Sequence, residues 1–299
     1  MWFKNLKLYR FTQEFSLDTQ NLQTMLESMP FAPAGAQEIS SMGFVPVLPK
    51  GDLLYHQVGN AFWFKLKREE KILPASVVNA ELAEKVAQLE QESGSPVGKK
   101  AQKDLKEEIV QRLLPRAFNK HAFINAYISL DAQVVVVDAS SDGSAEVLLA
   151  ALRKCINSLP VVPFAKSQQQ EILTNWLLKD APQGIELLDE AEFKSPADDG
   201  AIIRCKKQDL DAEEILAHIQ AGKWVQKLAI AYKERLTCII AEDLSIKRLK
   251  FTDMVVEQNE DISKDDMAAK LDADFALFVS EIDAFVKDLN EMFSLEGDA

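Results

Sequence analysis

Four clusters of lysine and arginine side chains are the groups in this chain whose chemistry is easiest to recognise. Such side chains neutralise phosphate groups, so clusters of them indicate contact with a polyanion. An ordinary solvated surface is the simpler explanation of each cluster taken singly, and the polyanion hypothesis requires that the clusters share one surface. The clusters are Lys65, Lys67, Arg68 and Lys71; Lys99, Lys100, Lys103, Lys106, Arg112, Arg116 and Lys120; Arg204, Lys206 and Lys207; and Lys247, Arg248 and Lys250.

The formal net charge of −13 is distributed unevenly along the chain. Residues 253–299 contain 14 acidic residues and three lysines, and the remaining 252 residues are close to charge balance. Local potential steers a charged ligand more strongly than net charge does. The acidic composition therefore does not exclude a polyanion partner.

Sequence motifs of catalysis are absent. The chain has no GxxxxGK[ST], GxGxxG, GxSxG, HExxH or CxxC pattern, and His56, His121 and His218 are far apart. We therefore predict no cofactor, no metal site and no enzymatic activity. Three pairs of carboxylates could in principle hold two metal ions that cleave DNA. A solvated acidic helix and solvated turns are the better explanation of these pairs. These pairs are Asp198 with Asp199, Asp265 with Asp266, and Asp272 with Asp274.

Cysteine usage and hydropathy indicate a cytosolic chain. Cys155, Cys205 and Cys238 are three widely spaced residues in apolar or strand-like stretches, which predicts reduced, buried thiols. The first ten residues are too interrupted by charge for a secretory signal, and no run of 18 apolar residues predicts a membrane span.

Periodicity predicts both strands and helices in the first half of the chain. Residues 2–15 alternate as a strand does, residues 18–29 have helical spacing after Asp18, and residues 43–48 and 53–68 are predicted strands. Residues 76–92 and 99–114 are predicted helices between Pro74 and Pro115, and a break at Gly94 and Gly98 makes them a helical hairpin that could project as an arm.

The second half alternates again between strands and helices. Residues 122–139 are predicted strands, residues 142–158, 168–178 and 211–221 helices, and residues 184–194, 200–205, 223–232, 234–241 and 245–251 strands. Residues 263–292 form a long acidic helical region. Without strict βαβ order, the fold class is α+β, an elongated subunit with antiparallel sheets. The predicted parts are residues 1–73, the helical arm 74–116, a central region 117–165 that packs with the first part, and a C-terminal region 166–299.

Two basic segments have an arrangement that bears on binding. In the predicted strand 245–251, alternation places Arg248 and Lys250 on one face and Lys247 on the other. Phe118 lies between Arg116 and Lys120, where an aromatic ring can stack on a base or pack against protein.

Several segments, in the same order along the whole chain, resemble the bacterial recombination-associated RdgC family. None of them is a catalytic signature, and their specificity comes from their joint occurrence. They are Trp2-Phe3-Lys4-Asn5, Glu69-Glu70-Lys71-Ile72-Leu73-Pro74, Leu113-Leu114-Pro115-Arg116-Ala117-Phe118, Ala151-Leu152-Arg153-Lys154, Ser158-Leu159-Pro160-Val161-Val162-Pro163, Leu187-Leu188-Asp189-Glu190-Ala191-Glu192, Lys206-Lys207-Gln208-Asp209-Leu210 and Lys247-Arg248-Leu249-Lys250-Phe251.

The resemblance implies a non-enzymatic, cytoplasmic and nucleoid-associated protein. It implies a homodimer closed into a ring around duplex DNA, with single-stranded DNA open as a second ligand, and restraint of RecA-promoted recombination through occupation of the DNA. It also implies that Phe118 serves subunit contact and that Lys207 and Gln208 serve DNA binding. The basic clusters add further candidate DNA-binding residues: Arg116, Lys120, Lys247, Arg248, Lys250, Lys65 and Lys67.

Charge distribution agrees with this expectation if the basic clusters face inward and the acidic segment faces outward. No predicted helix has an obvious base-reading face, so we expect binding dominated by phosphate contacts and nearly independent of sequence. Two alternatives stay open. The acidic residues 253–299 could dock a basic protein partner, or the chain could be a metal-dependent nuclease.

Overall fold

A computed structural model of the chain describes residues 2–48, 51–197, 200–262 and 266–295. The strands are β1 Leu6–Phe11, β2 Ser40–Phe44, β3 Tyr55–Val58, β4 Ala61–Ile72, β5 Phe118–Ser129, β6 Val134–Asp138, β7 Val161–Pro163, β8 Ile185–Lys194, β9 Ile202–Lys206, β10 Trp224–Tyr232, β11 Leu236–Ala241 and β12 Ile246–Phe251. The helices are α1 Leu22–Leu26, α2 Ala75–Ser93, α3 Lys99–Leu113, α4 Asp142–Ile156, α5 Gln170–Leu178, α6 Glu213–Gln220, α7 Asp253–Val256 and α8 Met267–Met292.

The chain divides into two compact units. The large unit comprises Met1–Leu26, Pro46–Lys65 and Ile124–Ala299, and the small unit comprises Glu27–Val45 and Leu66–Phe123. Strands β4 and β5 each contribute residues to both units.

An antiparallel sheet forms the body of the large unit. Its strand order is β4-β5-β6-β1-β12-β11-β10-β8-β9, with β3 paired to β4 and β7 paired to β1. The first strand, β1, lies in the interior of this sheet, where Leu6 is opposite both Asp138 of β6 and Ile246 of β12. The sheet is antiparallel, and strands and helices do not alternate in repeated βαβ units. The predicted α+β class is therefore confirmed.

Helix α8 covers one face of this sheet. Its apolar side chains recur at helical spacing, and Phe275, Phe278 and Ile282 are fully buried. The centroid of the Phe278 ring lies 4.9 Å from that of Phe3, which precedes β1, and 5.9 Å from that of Tyr127 on β5; both of these side chains are buried. Asp266 caps the helix by accepting a hydrogen bond from the backbone amide of Ala269.

In the small unit, β2 pairs with the second half of β4, and Ser40 is opposite Glu70. Helices α2 and α3 occupy the residues predicted as helices, and ion pairs connect them: Lys85 with Glu108 at 2.8 Å, and Glu81 with Arg112. Gly94 ends α2 with φ of 67°, a left-handed conformation that glycine adopts at little cost.

Two local predictions are wrong. Residues 53–68 form two strands of a hairpin, because Gly59 has φ of 56° and turns the chain between Val58 and Ala61, which are paired. The helix predicted over 18–29 is limited to α1. Asp18 accepts hydrogen bonds from the amides of Gln20 and Asn21. Residues 18–21 therefore form a turn, and the helix begins only at Leu22.

The cysteine side chains are thiols in the interior of the protein. Cys155, Cys205 and Cys238 are free and buried, as predicted. Burial raises the pKa of the Cys238 thiol well above its usual range, so this sulfur is unreactive in the folded state. Within the described ranges, no helix combines the length and apolar character needed to cross a membrane.

Replacing Phe278 with Ala is expected to destabilise the protein by about 3–5 kcal/mol, because the ring is fully buried among aromatic neighbours. Met267→Ala is the control, since this residue lies in the same helix but is 58% exposed; its effect should stay within about 0.5 kcal/mol. Denaturant-induced unfolding measures both. Equal effects of the two substitutions would show that α8 does not anchor the sheet.

Candidate nucleic-acid interface

The sheet face opposite α8 carries charged side chains on β8, β9, β10 and β12. Strand residues alternate between faces, so β10 directs Leu228, Ile230 and Tyr232 into the core and places Lys227 on the other side. The same alternation on β8, β9 and β12 places charged residues next to Lys227. We call this surface the basic sheet face, and its charged members are Glu190, Glu192, Arg204, Lys206, Lys227, Lys247, Arg248 and Lys250.

Strand register brings these residues together across the sheet. Arg204 of β9 is opposite Glu192 of β8, and Glu192 is opposite Lys227 of β10. In the next row, Lys206 is opposite Glu190. Side chains directly opposite each other in an antiparallel pair are in contact, so residues distant in sequence become one cluster.

A β-bulge brings Lys247 and Arg248 to the same side. Between Thr237 and Ile239 of β11, which face Lys250 and Lys247, strand β12 contains one extra residue, and Arg248 there has φ of 53°. Strict alternation predicts that Lys247 points away from Arg248 and Lys250, and that prediction is wrong. Both Lys247 and Arg248 line a cleft of about 390 Å³, and Thr237 pairs with Lys250 beside it.

Each glutamate of the basic sheet face holds two cations. Glu192 accepts from Arg204 Nε and Lys227 Nζ, both at 2.6 Å. Glu190 accepts from Arg248 at 2.6 Å and lies 3.6 Å from Lys206 Nζ. The glutamate side chains are 11% and 25% exposed at positions 192 and 190, whereas Arg204, Lys206 and Arg248 are more than half exposed. Positive charge therefore lies at the surface, and the negative charge lies beneath it.

Both glutamates remain ionised near neutral pH. Hydrogen bonding from Arg248 is the main cause that lowers the pKa of Glu190. Burial raises the pKa of Glu192, but hydrogen bonds from Lys227 and Arg204 outweigh it and the net pKa is lowered. Among the described residues, neither Lys247 nor Lys250 forms an ion pair, so these two cations are available to an external anion.

Lys207 and Gln208 lie apart from that cleft. They follow β9, where Lys207 has φ of 53° and is exposed. Gln208 lines a different, acidic depression of about 590 Å³ together with Asp180, Asp189 and Asp209. The structure therefore does not bring these two predicted DNA-binding residues together with the basic sheet face.

The small unit holds a second basic group around a buried carboxylate. Glu69 is 3% exposed; it accepts from the amide of Ala34 at 3.0 Å and from Asn119 Nδ2 at 3.1 Å, and lies 3.3 Å from His121 Nδ1. These contacts direct Asn119 and His121 to one side of β5. Alternation then places Phe118 and Lys120 on the opposite side.

Phe118, Lys120 and Arg116 are all exposed. Phe118 is 84% exposed, which is unusual for a large aromatic side chain. Arg116 and Lys120 form no ion pair within the part of the chain that the structure describes. The small unit also exposes other large apolar side chains, namely Ile39, Met42, Ile72, Val77 and Phe123.

The cluster on β4 is partly used inside the protein. Lys71 is buried and donates to the carbonyl oxygens of Ala36 and Leu114, both at 3.0 Å. Lys67 lies over the Phe31 ring at 4.1 Å from its centroid. Lys65 is half-buried and belongs to the large unit, whereas Lys67 belongs to the small unit.

The interpretation of the α8 carboxylates as a solvated acidic face is wrong for several of them, although Asp272 is 56% exposed, as expected. Asp283 accepts from Tyr127 Oη at 2.9 Å and Ser129 Oγ at 2.5 Å. Asp274, a member of the predicted solvated pair, is buried, and Asn259 Nδ2 donates to it at 3.2 Å. Asp198, Asp199 and Asp265 lie outside the described residues. In the described ranges, no group of three or more His, Cys, Asp or Glu side chains could hold a metal ion.

Comparison with known proteins places the chain in a family. A family model with the description "Putative exonuclease, RdgC" matches residues 1–296. The chain belongs to the RdgC family. It is 55% identical to the recombination-associated protein RdgC of Pseudoalteromonas atlantica over 299 residues, which cover 100% of this chain and 99% of that protein.

Two further relatives agree with this assignment. The recombination-associated protein RdgC of Tolumonas auensis is 46% identical over 292 residues, which cover 97% of each chain. The RdgC protein of Shewanella oneidensis, which has the same description, is 45% identical over 289 residues, covering 96% of this chain and 95% of that protein. The resemblance seen in the sequence segments is therefore confirmed over the whole chain.

Sequence reasoning missed three members of the basic sheet face. Lys227 is the single charged residue of β10. The alternation of the buried residues Leu228, Ile230 and Tyr232 indicates that Lys227 lies on the opposite face of the strand, and this pattern is visible in the sequence. Glu190 and Glu192 also alternate with apolar residues, but nothing in the sequence shows that they face Arg204 and Arg248, because strand register depends on the tertiary fold.

Proposed function

We propose that the chain binds duplex DNA without sequence preference through the basic sheet face. The observation that carries this proposal is the convergence of six cations from β9, β10 and β12 on one face of the sheet, over two less exposed glutamates. Membership of a family whose relatives are named recombination-associated supports DNA as the polyanion.

The width of the basic sheet face favours backbone contacts over base contacts. Its five strands, at about 4.8 Å between neighbours, extend over roughly 19 Å. The major groove of B-DNA is about 12 Å wide, so such a sheet cannot enter it and contacts phosphates instead. Phosphate contacts position a protein on DNA but carry no sequence information.

The second part of the proposal is a homodimer that closes into a ring around DNA. Phe118 and the exposed apolar residues of the small unit support a contact with a second copy, since burial of an aromatic side chain stabilises an interface. In this arrangement α2 and α3 form the helical hairpin of the small unit. Arg116, Lys120, Lys65, Lys67, Lys207 and Gln208 then provide further DNA contacts around the ring.

Occupation of DNA gives the biological role that we propose. A ring that holds duplex DNA denies RecA its substrate and so restrains RecA-promoted recombination in the cytoplasm and nucleoid. Single-stranded DNA has the same phosphates and binds more weakly if the ring fits a duplex.

Docking of a basic protein by the acidic C-terminal segment has less support. Glu281 pairs with Arg235, Asp283 bonds Tyr127 and Ser129, and Asp288 bonds Tyr232. These carboxylates are directed into the large unit, so they are not available to a partner without loss of internal contacts.

The description of the matching family model favours a second candidate, an exonuclease. Nuclease chemistry with two metal ions requires carboxylates that converge on one site. Such an activity would make the chain an enzyme that degrades the DNA it holds.

A triple substitution of Lys247, Arg248 and Lys250 to Ala tests the DNA-binding proposal. Each lost phosphate contact lowers the slope of log affinity against log salt by about 0.9, so we expect a decrease of up to about 3 and an affinity loss of roughly tenfold or more on every duplex sequence. Fluorescence anisotropy over a salt series measures both. Lys287→Ala, an exposed residue on α8 at the other face of the sheet, is the control.

The same triple variant tests restraint of RecA. Inhibition of RecA-promoted strand exchange should fall in parallel with DNA affinity. Full inhibition by a variant that has lost DNA binding would contradict occupation of DNA, and unchanged DNA binding would contradict the role of the basic sheet face.

Replacing Phe118 with Ser tests the subunit contact. We expect the dissociation constant of the dimer to rise by roughly tenfold or more, because an exposed aromatic that anchors an interface contributes strongly to it. Analytical ultracentrifugation measures the change. Met254→Ser on α7, which also removes a half-exposed apolar side chain but in the large unit, should leave the dimer intact. Identical sedimentation of both variants and the unaltered protein would refute the assignment.

Incubation of end-labelled linear duplex with the protein and Mg²⁺ or Mn²⁺ separates the two candidate functions. We expect the DNA to remain intact at protein concentrations that saturate binding. Progressive release of labelled nucleotides, abolished by chelation of the metal, would support the exonuclease instead.

A further inference from the structure

We propose that Glu190 and Glu192 are internal competitors for DNA phosphate, which hold the cations of the basic sheet face in position and keep DNA affinity below the value that six cations alone would give. This inference rests on the proposed function. Glu190 and Glu192 are negatively charged, as DNA phosphate is, so a search for basic residues alone does not identify them.

The two carboxylates already contact the cations that a phosphate would bind. Arg204 and Lys227 lie 2.6 Å from Glu192, and Arg248 lies 2.6 Å from Glu190. A phosphate that approaches these cations meets groups that already donate at least one hydrogen bond to a carboxylate. Arg204 binds Glu192 through Nε, which leaves its terminal nitrogens for an external oxygen.

Burial makes the glutamates permanent competitors. Their side chains are 11% and 25% exposed, while the cations lie above them and are more exposed. The carboxylates lie under the cations and are in contact with them, so a phosphate that arrives must displace or share these contacts. A phosphate bound by Arg204, Lys206, Lys227 or Arg248 therefore shares its cation with a protein carboxylate.

The ionisation of the glutamates supports a constant effect rather than a pH switch. Hydrogen bonds from their cation partners lower the pKa of both carboxyl groups, so they stay charged across the neutral range. The competition is then a fixed property of the surface. Its consequence is weaker, more readily reversible binding, whereas Lys247 and Lys250 act on phosphate without internal competition.

The double substitution Glu190→Gln and Glu192→Gln in the full-length chain tests this inference. Glutamine keeps the size and one acceptor oxygen, so one cation of each pair keeps its hydrogen bond while the negative charge is removed from both. We expect duplex affinity to rise roughly tenfold at about 100–200 mM salt and the salt slope to become steeper by about 1–2, because more phosphates are neutralised. Glu171→Gln on α5, which makes the same charge change on the other face of the sheet, is the control for each glutamate.

Circular dichroism and the unfolding midpoint establish that the double variant is folded. If the double variant is not folded, Glu190→Gln alone is measured, because Glu190 is the more exposed of the two. The expected change in the salt slope is then half that of the double variant. Equal or weaker affinity of a folded glutamine variant, with an unchanged salt slope, would overturn the inference.

The triple variant of Lys247, Arg248 and Lys250 distinguishes a failure of the competition from a failure of the DNA-binding proposal. If it weakens DNA binding while the glutamine variants bind as the unaltered protein does, the basic sheet face is the DNA site and the competition is refuted. If neither set of variants changes binding, the DNA site lies elsewhere and the proposed function of this face fails together with the inference.

Discussion

Packing of α8 on the large sheet is the interaction on which the rest of the large unit depends. Phe275, Phe278, Phe285 and Leu289 are almost completely buried, and they fill the apolar side of strands that come from both ends of the chain. Burial of such side chains provides the main favourable free energy of folding. Because one face is occupied in this way, alternation along the last strands leaves the other face to charged residues.

The same helix helps to explain how an acidic chain can present a basic surface. Several of its carboxylates are bonded to groups on the α8 side of the sheet, such as Glu281 to Arg235 and Asp288 to Tyr232. Burial raises the pKa of Asp283, even though Ser129 and Tyr127 donate hydrogen bonds to it. Negative charge is thus held on the helical side, and the cations of β9, β10 and β12 lie on the opposite side. Net charge alone describes neither surface.

Sequence reasoning succeeded where one segment determines its own structure. The α+β class, the buried cysteines and most helices follow from local periodicity. It failed where the outcome depends on a turn or on a distant partner. Gly59 divides a predicted strand, and the bulge at Arg248 reverses the predicted side of Lys247. Glu192 illustrates the general limit, since its partner Lys227 is 35 residues away.

The position of β1 has a consequence for the synthesis of the chain. This strand is synthesised before both of its neighbours, β6 and β12, and Leu6 faces residues 138 and 246. A ribosome must therefore release most of the polypeptide before both edges of the first strand are covered. Until then its apolar residues, including Leu6 and Leu8, depend on protection by chaperones or on transient local contacts, because unpaired strand edges promote aggregation of nascent chains.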